Sequence, residues 1–349
     1  MQSRHSLKDV AKEAAVSAAT ISRYLNGTLD LPDSTRQRID AAVDKLNYHP
    51  NPHARRLSLG KSDSIALIVP DIANPFFAKL AAAIELAVAR HQSMVMLHAT
   101  FNNSERELAA LERAAQNRVD GVIFITNRSP EARVAEMING FSRAVILDED
   151  VPGGIAPRVL CDNEMGGMLA GRHLGAAGHR HVAYFGGGSD LLSTKLRLDG
   201  LRHGLTEGGS AGVEPTLLEG DHSPASGRIL AEKFLDRVTD ETAIFAGSDE
   251  LTVGILEVFS AHGISVPDDY SLISFDDARS LHLFAPAITA VRQPVERLGE
   301  RAVEILFSDD WDQADFRQMT ERTPVTLIER SSVTAPAKNK SKVDQTRTN

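Results

Sequence analysis

Residues Leu7 to Gly27 read Leu-Lys-Asp-Val-Ala-Lys-Glu-Ala-Ala-Val-Ser-Ala-Ala-Thr-Ile-Ser-Arg-Tyr-Leu-Asn-Gly, and this stretch decides the fold of the N-terminal part of the chain. It predicts two short helices joined by a tight corner. Ser6 is placed to cap the first helix, with Asp9 in its electropositive first turn. Apolar residues recur there at steps of three and four, which gives that helix one apolar face. These positions are Leu7, Val10, Ala11 and Ala14.

The second helix of this stretch begins at its N-cap, Ser17, and ends at Asn26-Gly27, because both of these residues tolerate a left-handed backbone. Two helices at such a corner form a helix-turn-helix, whose second helix lies in the major groove of DNA. A helical hairpin without any role in DNA binding has the same local pattern. The residues that follow must therefore distinguish the two interpretations.

In a helix-turn-helix, the residues at the start of the second helix reach the edges of the bases. One turn further on, an arginine can donate two hydrogen bonds to guanine O6 and N7. Alanine side chains form no hydrogen bond, so direct readout depends largely on Arg23, unless Arg23 only contacts phosphate or solvent. The predicted DNA-contacting residues of this helix are Ser17, Ala18, Ala19, Thr20 and Arg23.

A third helical pattern covers Ser34–Leu46, and two motifs follow it. The first is His-Pro-Asn-Pro-His-Ala-Arg-Arg-Leu at 49–57, and the second is Ile-Ala-Leu-Ile-Val-Pro-Asp-Ile-Ala-Asn-Pro-Phe-Phe at 65–77. In this order the motifs resemble the lactose/galactose repressor family of bacterial transcription regulators, from Ser6 to about Arg330. Ala15 departs from that family, which usually has glycine at the corner. At a positive φ, alanine costs about 0.5–1 kcal/mol.

Residues 49–61 are predicted to form a hinge helix and linker, with Asn51 as its cap and Pro52 at its first helical position. So short a helix is marginal by itself in water. The resemblance implies that two copies fold on the operator and enter its minor groove, where the leucine wedges a base step apart. The alternative is a proline-rich spacer. The predicted DNA-contacting residues of the hinge are Asn51, Ala54 and Leu57.

The net charge of −9 over 349 residues argues against a nucleic-acid partner if it is taken alone. The distribution of charge along the chain instead favours a nucleic-acid partner for the N-terminal part. Residues 1–62 hold ten Lys and Arg against six Asp and Glu, so the remainder carries −13. A small basic head on an acidic body confines the attraction for DNA to the head.

The only cysteine, Cys161, cannot form an internal disulfide, which fits a reducing cytoplasm. The N-terminus has no apolar leader, and no apolar run reaches the length that spans a membrane. We therefore expect a cytoplasmic protein without membrane contact.

From Ser62 to Arg330, apolar strand-like runs alternate with helical patterns. This alternation predicts parallel sheets with helices on both faces, and the strands are too many for one such sheet. The expected fold is an all-α helix-turn-helix head and hinge helix, followed by an α/β core of two parallel-sheet subdomains like that of the periplasmic binding proteins. The resemblance implies that each subdomain is discontinuous.

The predicted domain boundaries follow from this organisation. They are 1–48 for the head, 49–61 for the hinge, 62–330 for the effector-binding and dimerisation domain (62–160 with 290–322, and 161–289 with 323–330), and 331–349 for the tail. The tail is rich in Lys, Thr, Ser and Asn, and we expect it to be disordered.

In such two-subdomain proteins the ligand lies between the halves, at the carboxyl ends of the strands. Carboxylates accept hydrogen bonds from neighbouring hydroxyls, arginine donates several, and an aromatic ring covers the apolar face of a sugar. The resemblance singles out Arg197 and Asp276. The alternative for each candidate is a structural ion pair or a helix cap. The predicted effector-binding residues are Asp71, Phe76, Asn127, Asp148, Arg197, His222, Ser248 and Asp276.

The expected effector is a sugar, a sugar acid or a sugar phosphate. An Arg197 without a protein partner would favour a sugar acid, because its guanidinium would bind the carboxylate. His222 and Ser248 stand where the family often has an aromatic residue and Asn or Asp, which leaves the identity of the effector open.

These features predict a homodimeric repressor of carbohydrate-utilisation genes, which binds a palindromic DNA operator and releases it when the effector binds. Whether the effector weakens or strengthens operator binding is not decided by the residues. An enzyme is the main alternative, but the chain has no nucleotide-binding loop, and its twelve histidines are scattered rather than clustered in a His-rich metal-binding pattern. We expect no catalysis, metal or cofactor. A transport protein would need an export signal and no DNA-binding head.

Overall fold

The computed structural model describes residues 6–48, 62–237, 240–277, 281–313 and 315–336. The predicted hinge residues Asn51, Ala54 and Leu57 lie outside the described residues. The N-terminal helices form one compact unit, and residues 64–116 with the chain from residue 121 onward form another. Within the described ranges, no helix is long and apolar enough to cross a membrane.

The described part of the head contains three helices, and local hydrogen bonds determine where the first two begin. Asp9 donates its backbone N–H to the Ser6 hydroxyl (3.3 Å) and accepts the Ser6 N–H on its carboxylate (2.7 Å). Thr20 donates its N–H to the Ser17 hydroxyl (3.0 Å). Both predicted caps are therefore confirmed. The helices are α1 (Leu7–Ala14), α2 (Ala18–Leu25) and α3 (Asp33–Lys45), and their core includes Val10, Ala14, Ile21, Ile39 and Ala42.

The corner between α1 and α2 places Ala15 in the left-handed conformation, with φ 49°. This is the conformation in which glycine avoids the steric cost that alanine bears. Arg38 of α3 donates to the carbonyl oxygens of Ala14 (2.5 Å) and Ala15 (3.1 Å), which would otherwise lack helical partners. These hydrogen bonds offset the strain at the corner.

The second unit contains two six-stranded sheets. The first has the strand order β11-β5-β4-β3-β1-β2 and is parallel throughout. Its strands are β1 (Ser64–Val69), β2 (Met94–Ala99), β3 (Gly121–Ile125), β4 (Ala144–Leu147), β5 (Arg158–Cys161) and β11 (Thr320–Thr323). Its helices are α4 (Pro75–Ala89), α5 (Ser104–Gln116), α6 (Ala132–Asn139) and α11 (Val295–Leu306).

The second sheet has the order β12-β10-β9-β8-β6-β7, in which only β12 runs antiparallel to its neighbour. Its strands are β6 (Val182–Gly186), β7 (Thr216–Glu219), β8 (Ala243–Ala246), β9 (Ser271–Phe275), β10 (Thr289–Arg292) and β12 (Thr326–Ile328). Its helices are α7 (Asn163–Ala176), α8 (Leu192–Glu207), α9 (Pro224–Leu235) and α10 (Asp249–His262). The predicted fold class of the core is thereby confirmed.

The chain passes between the two sheets three times: after β5, after β10 and after β11. The predicted boundary at residue 290 was wrong, because β10 pairs with β9 and so belongs to the second sheet. The chain returns to the first subdomain only beyond Arg292, where α11 packs on α4.

The predicted disordered tail was also placed too early. Ser332 is fully buried, donates its hydroxyl to the Leu272 carbonyl (2.5 Å) and accepts the Thr289 N–H (2.8 Å). The buried His179 lies 2.9 Å from the Thr334 carbonyl oxygen through its Nε2. Residues 331–336 are therefore attached to the second subdomain, and residues 337–349 lie outside the described ranges.

The closest helix contact joins α7 to α8 through two series of glycines at four-residue spacing. A methyl group at Gly204 would overlap the carbonyl oxygen of Met168, and one at Gly171 would overlap that of Leu201. The two backbones therefore touch, which fixes α8 against the second sheet. The glycines are Gly167, Gly171 and Gly175 on α7, with Gly200, Gly204 and Gly208 on α8.

We expect Gly204→Ala to lower the free energy of unfolding by about 2–3 kcal/mol, because the added methyl forces α7 and α8 apart. Urea unfolding followed by circular dichroism measures this change. Thr206→Ala, on the exposed side of the same helix, is the control and should change stability by less than about 0.5 kcal/mol. Equal stability of the two variants would show that the contact is loose enough to admit a methyl group.

Candidate functional site

A cavity lies between the two subdomains; its volume is about 40 Å³ when measured by the positions open to the centre of a water molecule, and it is partly open to solvent. Both sheets contribute to it through residues at or after the carboxyl ends of their strands. The first subdomain supplies Asn74, Phe76, Phe77, Thr126, Asn127, Asp148 and Glu149. The second supplies Leu191, Ser193, Arg197, His222, Ser248, Asp276 and Gln293.

The structure brings seven of the eight predicted effector-binding residues to this cavity. Asp71 is the exception. Its carboxylate accepts the N–H of Ala73 (2.8 Å) and so stabilises the turn after β1. Effector binding by the other seven stays a prediction.

Two aspartates occupy matching positions in the two subdomains. Asp148 follows β4 and Asp276 follows β9, and both have a left-handed backbone, with φ 74° and 66°. Residues other than glycine in this region cost about 1–3 kcal/mol each and concentrate at functional sites. The conformation turns the chain sharply as each strand ends at the cavity.

Burial disfavours the charged form of both carboxylates. It raises the pKa of Asp148 to about 7, although the nearby Arg197 guanidinium opposes this shift. Burial likewise raises the pKa of Asp276, which accepts a hydrogen bond from Gln293 Nε2 (2.6 Å). In their charged form, both groups can accept hydrogen bonds from the hydroxyl groups of a bound ligand.

A sugar acid would be favoured by an Arg197 without protein partners, but Arg197 has several. Its Nε donates to Asn163 (2.7 Å), its Nη1 donates to the Gly247 carbonyl (2.5 Å), and its guanidinium lies 3.5 Å from the centre of the Phe275 ring. Its exposed fraction is 6%. The observation that would have favoured a sugar acid is therefore not made.

Glu149 joins the two subdomains. It follows Asp148 in the first subdomain, yet its carboxylate accepts the N–H groups of Leu192 (3.1 Å) and Ser193 (3.3 Å) and the Ser193 hydroxyl (2.5 Å), all at the start of α8. Helix α8 has no side-chain cap of its own, since Leu191 is its N-cap residue. Burial raises the pKa of Glu149.

Two further polar atoms at the cavity have no hydrogen-bond partner among the described residues: His222 Nδ1 and Gln293 Oε1. Burial, together with the charge of Arg197, lowers the pKa of His222 to about 3, so that its ring is neutral at physiological pH. Ser248 already caps α10 by accepting the Leu251 N–H (3.2 Å), which is the alternative role foreseen for it.

The predicted effector-binding set omitted seven cavity residues: Asn74, Phe77, Thr126, Glu149, Leu191, Ser193 and Gln293. Thr126 and Glu149 adjoin predicted residues and share their turns, so a wider window at each strand end would have included them. Gln293 follows β10, which had been assigned to the other subdomain. Nothing in the sequence marks Leu191 or Ser193.

The predicted base-reading residues lie at the N-cap of α2 and along its first two turns. Ser17, Ala19 and Arg23 are exposed, and Ala18 and Thr20 are partly buried. The hydroxyls of Ser17 and Thr20 bind each other (2.8 Å). The Arg23 guanidinium makes no ion pair or hydrogen bond with the described residues. Contact of these five residues with DNA stays a prediction.

Comparison with known proteins gives consistent matches. A model of bacterial regulatory proteins of the lacI family matches residues 6–51, and a periplasmic binding protein-like domain matches residues 172–333. The HTH-type transcriptional repressor PurR of Erwinia tasmaniensis is 34% identical over 329 residues, which are 94% of this chain and 96% of the relative.

Two solved structures extend the comparison. A Lac repressor dimer bound to operator and the anti-inducer ONPF covers 95% of this chain and 100% of its own, at 26% identity and a TM-score of 0.77. A complex of the transcriptional regulator CelR with cellobiose has the same coverage, at 27% identity and a TM-score of 0.68.

The raised pKa of Asp148 predicts a specific dependence of stability on pH. The folded state binds this proton more tightly than the unfolded state, so the carboxyl lowers stability progressively as pH rises from about 4 to above 7. We expect Asp148→Asn to gain stability relative to the wild type over that range, by about 2–4 kcal/mol at pH 8. Denaturant unfolding at several pH values measures the difference. Asp71→Asn, outside the cavity, should give a difference that does not grow with pH; if both variants behave alike, burial at the cavity is not the cause.

Proposed function

The chain belongs to the lacI family of bacterial regulatory proteins, and from this premise we propose that it is a transcriptional repressor. It binds a palindromic operator as a homodimer and releases it when a small polyhydroxylated effector occupies the cavity between the subdomains. It acts in the cytoplasm, where the operator lies, and it catalyses no reaction.

One observation carries the proposal: a single chain joins a helix-turn-helix with an available Arg23 to a polar cavity lined by two subdomains. The relatives support each half of this arrangement. PurR is named as a transcriptional repressor, the Lac repressor structure holds a dimer on operator, and CelR is bound to cellobiose.

The chain itself connects the two activities. Strand β1 begins at Ser64, separated by two residues from the predicted hinge at 49–61, so a movement of the first subdomain displaces the end of the hinge. An effector that binds one arrangement of the subdomains more tightly than another shifts the population towards it. The operator affinity then changes because two hinges in a dimer must enter the minor groove together.

The chemistry of the cavity supports a hydroxyl-rich effector. The carboxylates of Asp148 and Asp276 and the free Gln293 Oε1 accept hydrogen bonds, and hydroxyl groups donate them. Phe76 supplies an apolar wall for the carbon face of a sugar ring. Sugars combine both surfaces in one molecule.

For the DNA-binding half, gel shifts with promoter fragments from the source genome identify the operator. We expect Arg23→Ala to weaken operator binding and to reduce discrimination against scrambled DNA by about 1–3 kcal/mol, because a guanine contact is lost. Arg36→Ala removes the same charge from the head, at an arginine that is ion-paired with Asp30. It should leave the discrimination ratio unchanged. Equal ratios for Arg23→Ala and the wild type would exclude Arg23 as a base reader.

For the sensing half, thermal-shift screening with sugars identifies the effector, and calorimetry measures its Kd. Asp276→Asn keeps a residue that tolerates the left-handed backbone but removes the charged acceptor. We expect at least about 10-fold weaker effector binding with unchanged operator affinity. Asp71→Asn should retain wild-type effector binding, since that carboxylate is engaged in its own turn. A normal effector Kd in Asp276→Asn would show that the effector binds elsewhere.

A further inference from the structure

The start of α8 has the properties of an anion-binding site. The first N–H groups of a helix lack helical partners and lie at the positive end of its dipole, which is why phosphates and carboxylates bind there. Helix α8 has sixteen residues and no side-chain cap of its own. Its first turns supply Leu191, Ser193 and Arg197 to the cavity.

This position is already filled by a carboxylate from the other subdomain. Glu149 accepts two N–H groups and one hydroxyl at the start of α8, and only 5% of its surface is exposed. A charged carboxylate at a helix N-terminus makes stronger hydrogen bonds than a neutral acceptor. An anionic ligand would have to displace it.

The other polar groups of the cavity offer few hydrogen-bond donors to an anion. The guanidinium of Arg197 is engaged with Asn163, the Gly247 carbonyl and the Phe275 ring. The carboxylates of Asp148 and Asp276 line the same space. Gln293, with an exposed fraction of 5%, presents Oε1 without a partner among the described residues. A hydroxyl can donate to these atoms, whereas a phosphate or carboxylate oxygen is repelled by them.

We propose that Glu149 is a specificity-determining residue, whose carboxylate occupies the anion position at the start of α8 and thereby excludes sugar acids and sugar phosphates in favour of uncharged polyols. This inference rests on the proposed function, in that it takes the cavity as the effector site. Without Glu149, the freed N–H groups of Leu192 and Ser193, with the Ser193 hydroxyl and the charge of Arg197, would form a phosphate site.

Inorganic phosphate is the probe, titrated calorimetrically into the full chain at pH 7.5 and constant ionic strength. We expect Glu149→Ala to bind phosphate at least about 10-fold more tightly than the wild type. Glu149→Asp, which keeps the charge, and Ser193→Ala, which keeps Glu149, should both remain close to the wild type. Circular dichroism melts verify that each variant is folded. If Glu149→Ala does not fold, Glu149→Gln takes its place; a smaller gain is expected, because the amide oxygen still accepts the N–H groups but the negative charge is gone.

Two results would overturn the inference: tight phosphate binding by the wild type and the neutral variant alike, or weak binding by both although the neutral variant is folded. The titration requires no operator, so it is independent of the gel shifts. A gain in phosphate affinity by a protein that ignores every promoter fragment would overturn the proposed function alone. Operator binding together with no gain would overturn only the role of Glu149.

Discussion

Parallel pairing in the two sheets is the constraint on which the cavity depends. Strands connected by helices all end at the same edge, and the residue after each strand leaves the sheet at that edge. Asp148 and Asp276 follow β4 and β9 in this way, and their left-handed backbones complete the turns. The two subdomains thus present equivalent carboxylates to one space. The strain at these positions is tolerated because the buried strands before them are held by neighbours on both sides.

The electrostatics of the cavity follow from that convergence. One guanidinium, that of Arg197, faces the carboxylates of Asp148, Glu149 and Asp276, and all of these groups are largely removed from water. Burial therefore dominates their titration and raises the pKa of each carboxyl. Glu149 differs from the two aspartates because backbone N–H groups satisfy it. The cavity consequently contains one carboxylate that holds the subdomains together and two that remain available to a ligand.

Helix α8 connects these features to the rest of the fold. Its backbone contact with α7 at the glycine series leaves no room for side chains, so its first turn has a defined position relative to the second sheet. Glu149 of the first subdomain reaches that turn. This contact is shared by both subdomains, and along the chain the first subdomain follows the DNA-binding head and the predicted hinge. Helix α8 thus packs on α7, lines the cavity and contacts Glu149 of the first subdomain.

What the sequence determined was local or periodic. The capping residues Ser6 and Ser17 act on N–H groups three residues away, and apolar runs marked the buried parallel strands, so the head, the two-subdomain core and seven cavity residues were predictable. Strand β11, Thr-Glu-Arg-Thr, was missed because an edge strand needs no apolar pattern. Only the tertiary structure decided which sheet receives β10, what holds Arg197, how residues 331–336 attach, and that Glu149 caps α8. Each of these depends on partners distant along the chain, whose identity is set by packing and by the hydrogen bonds that buried polar groups require.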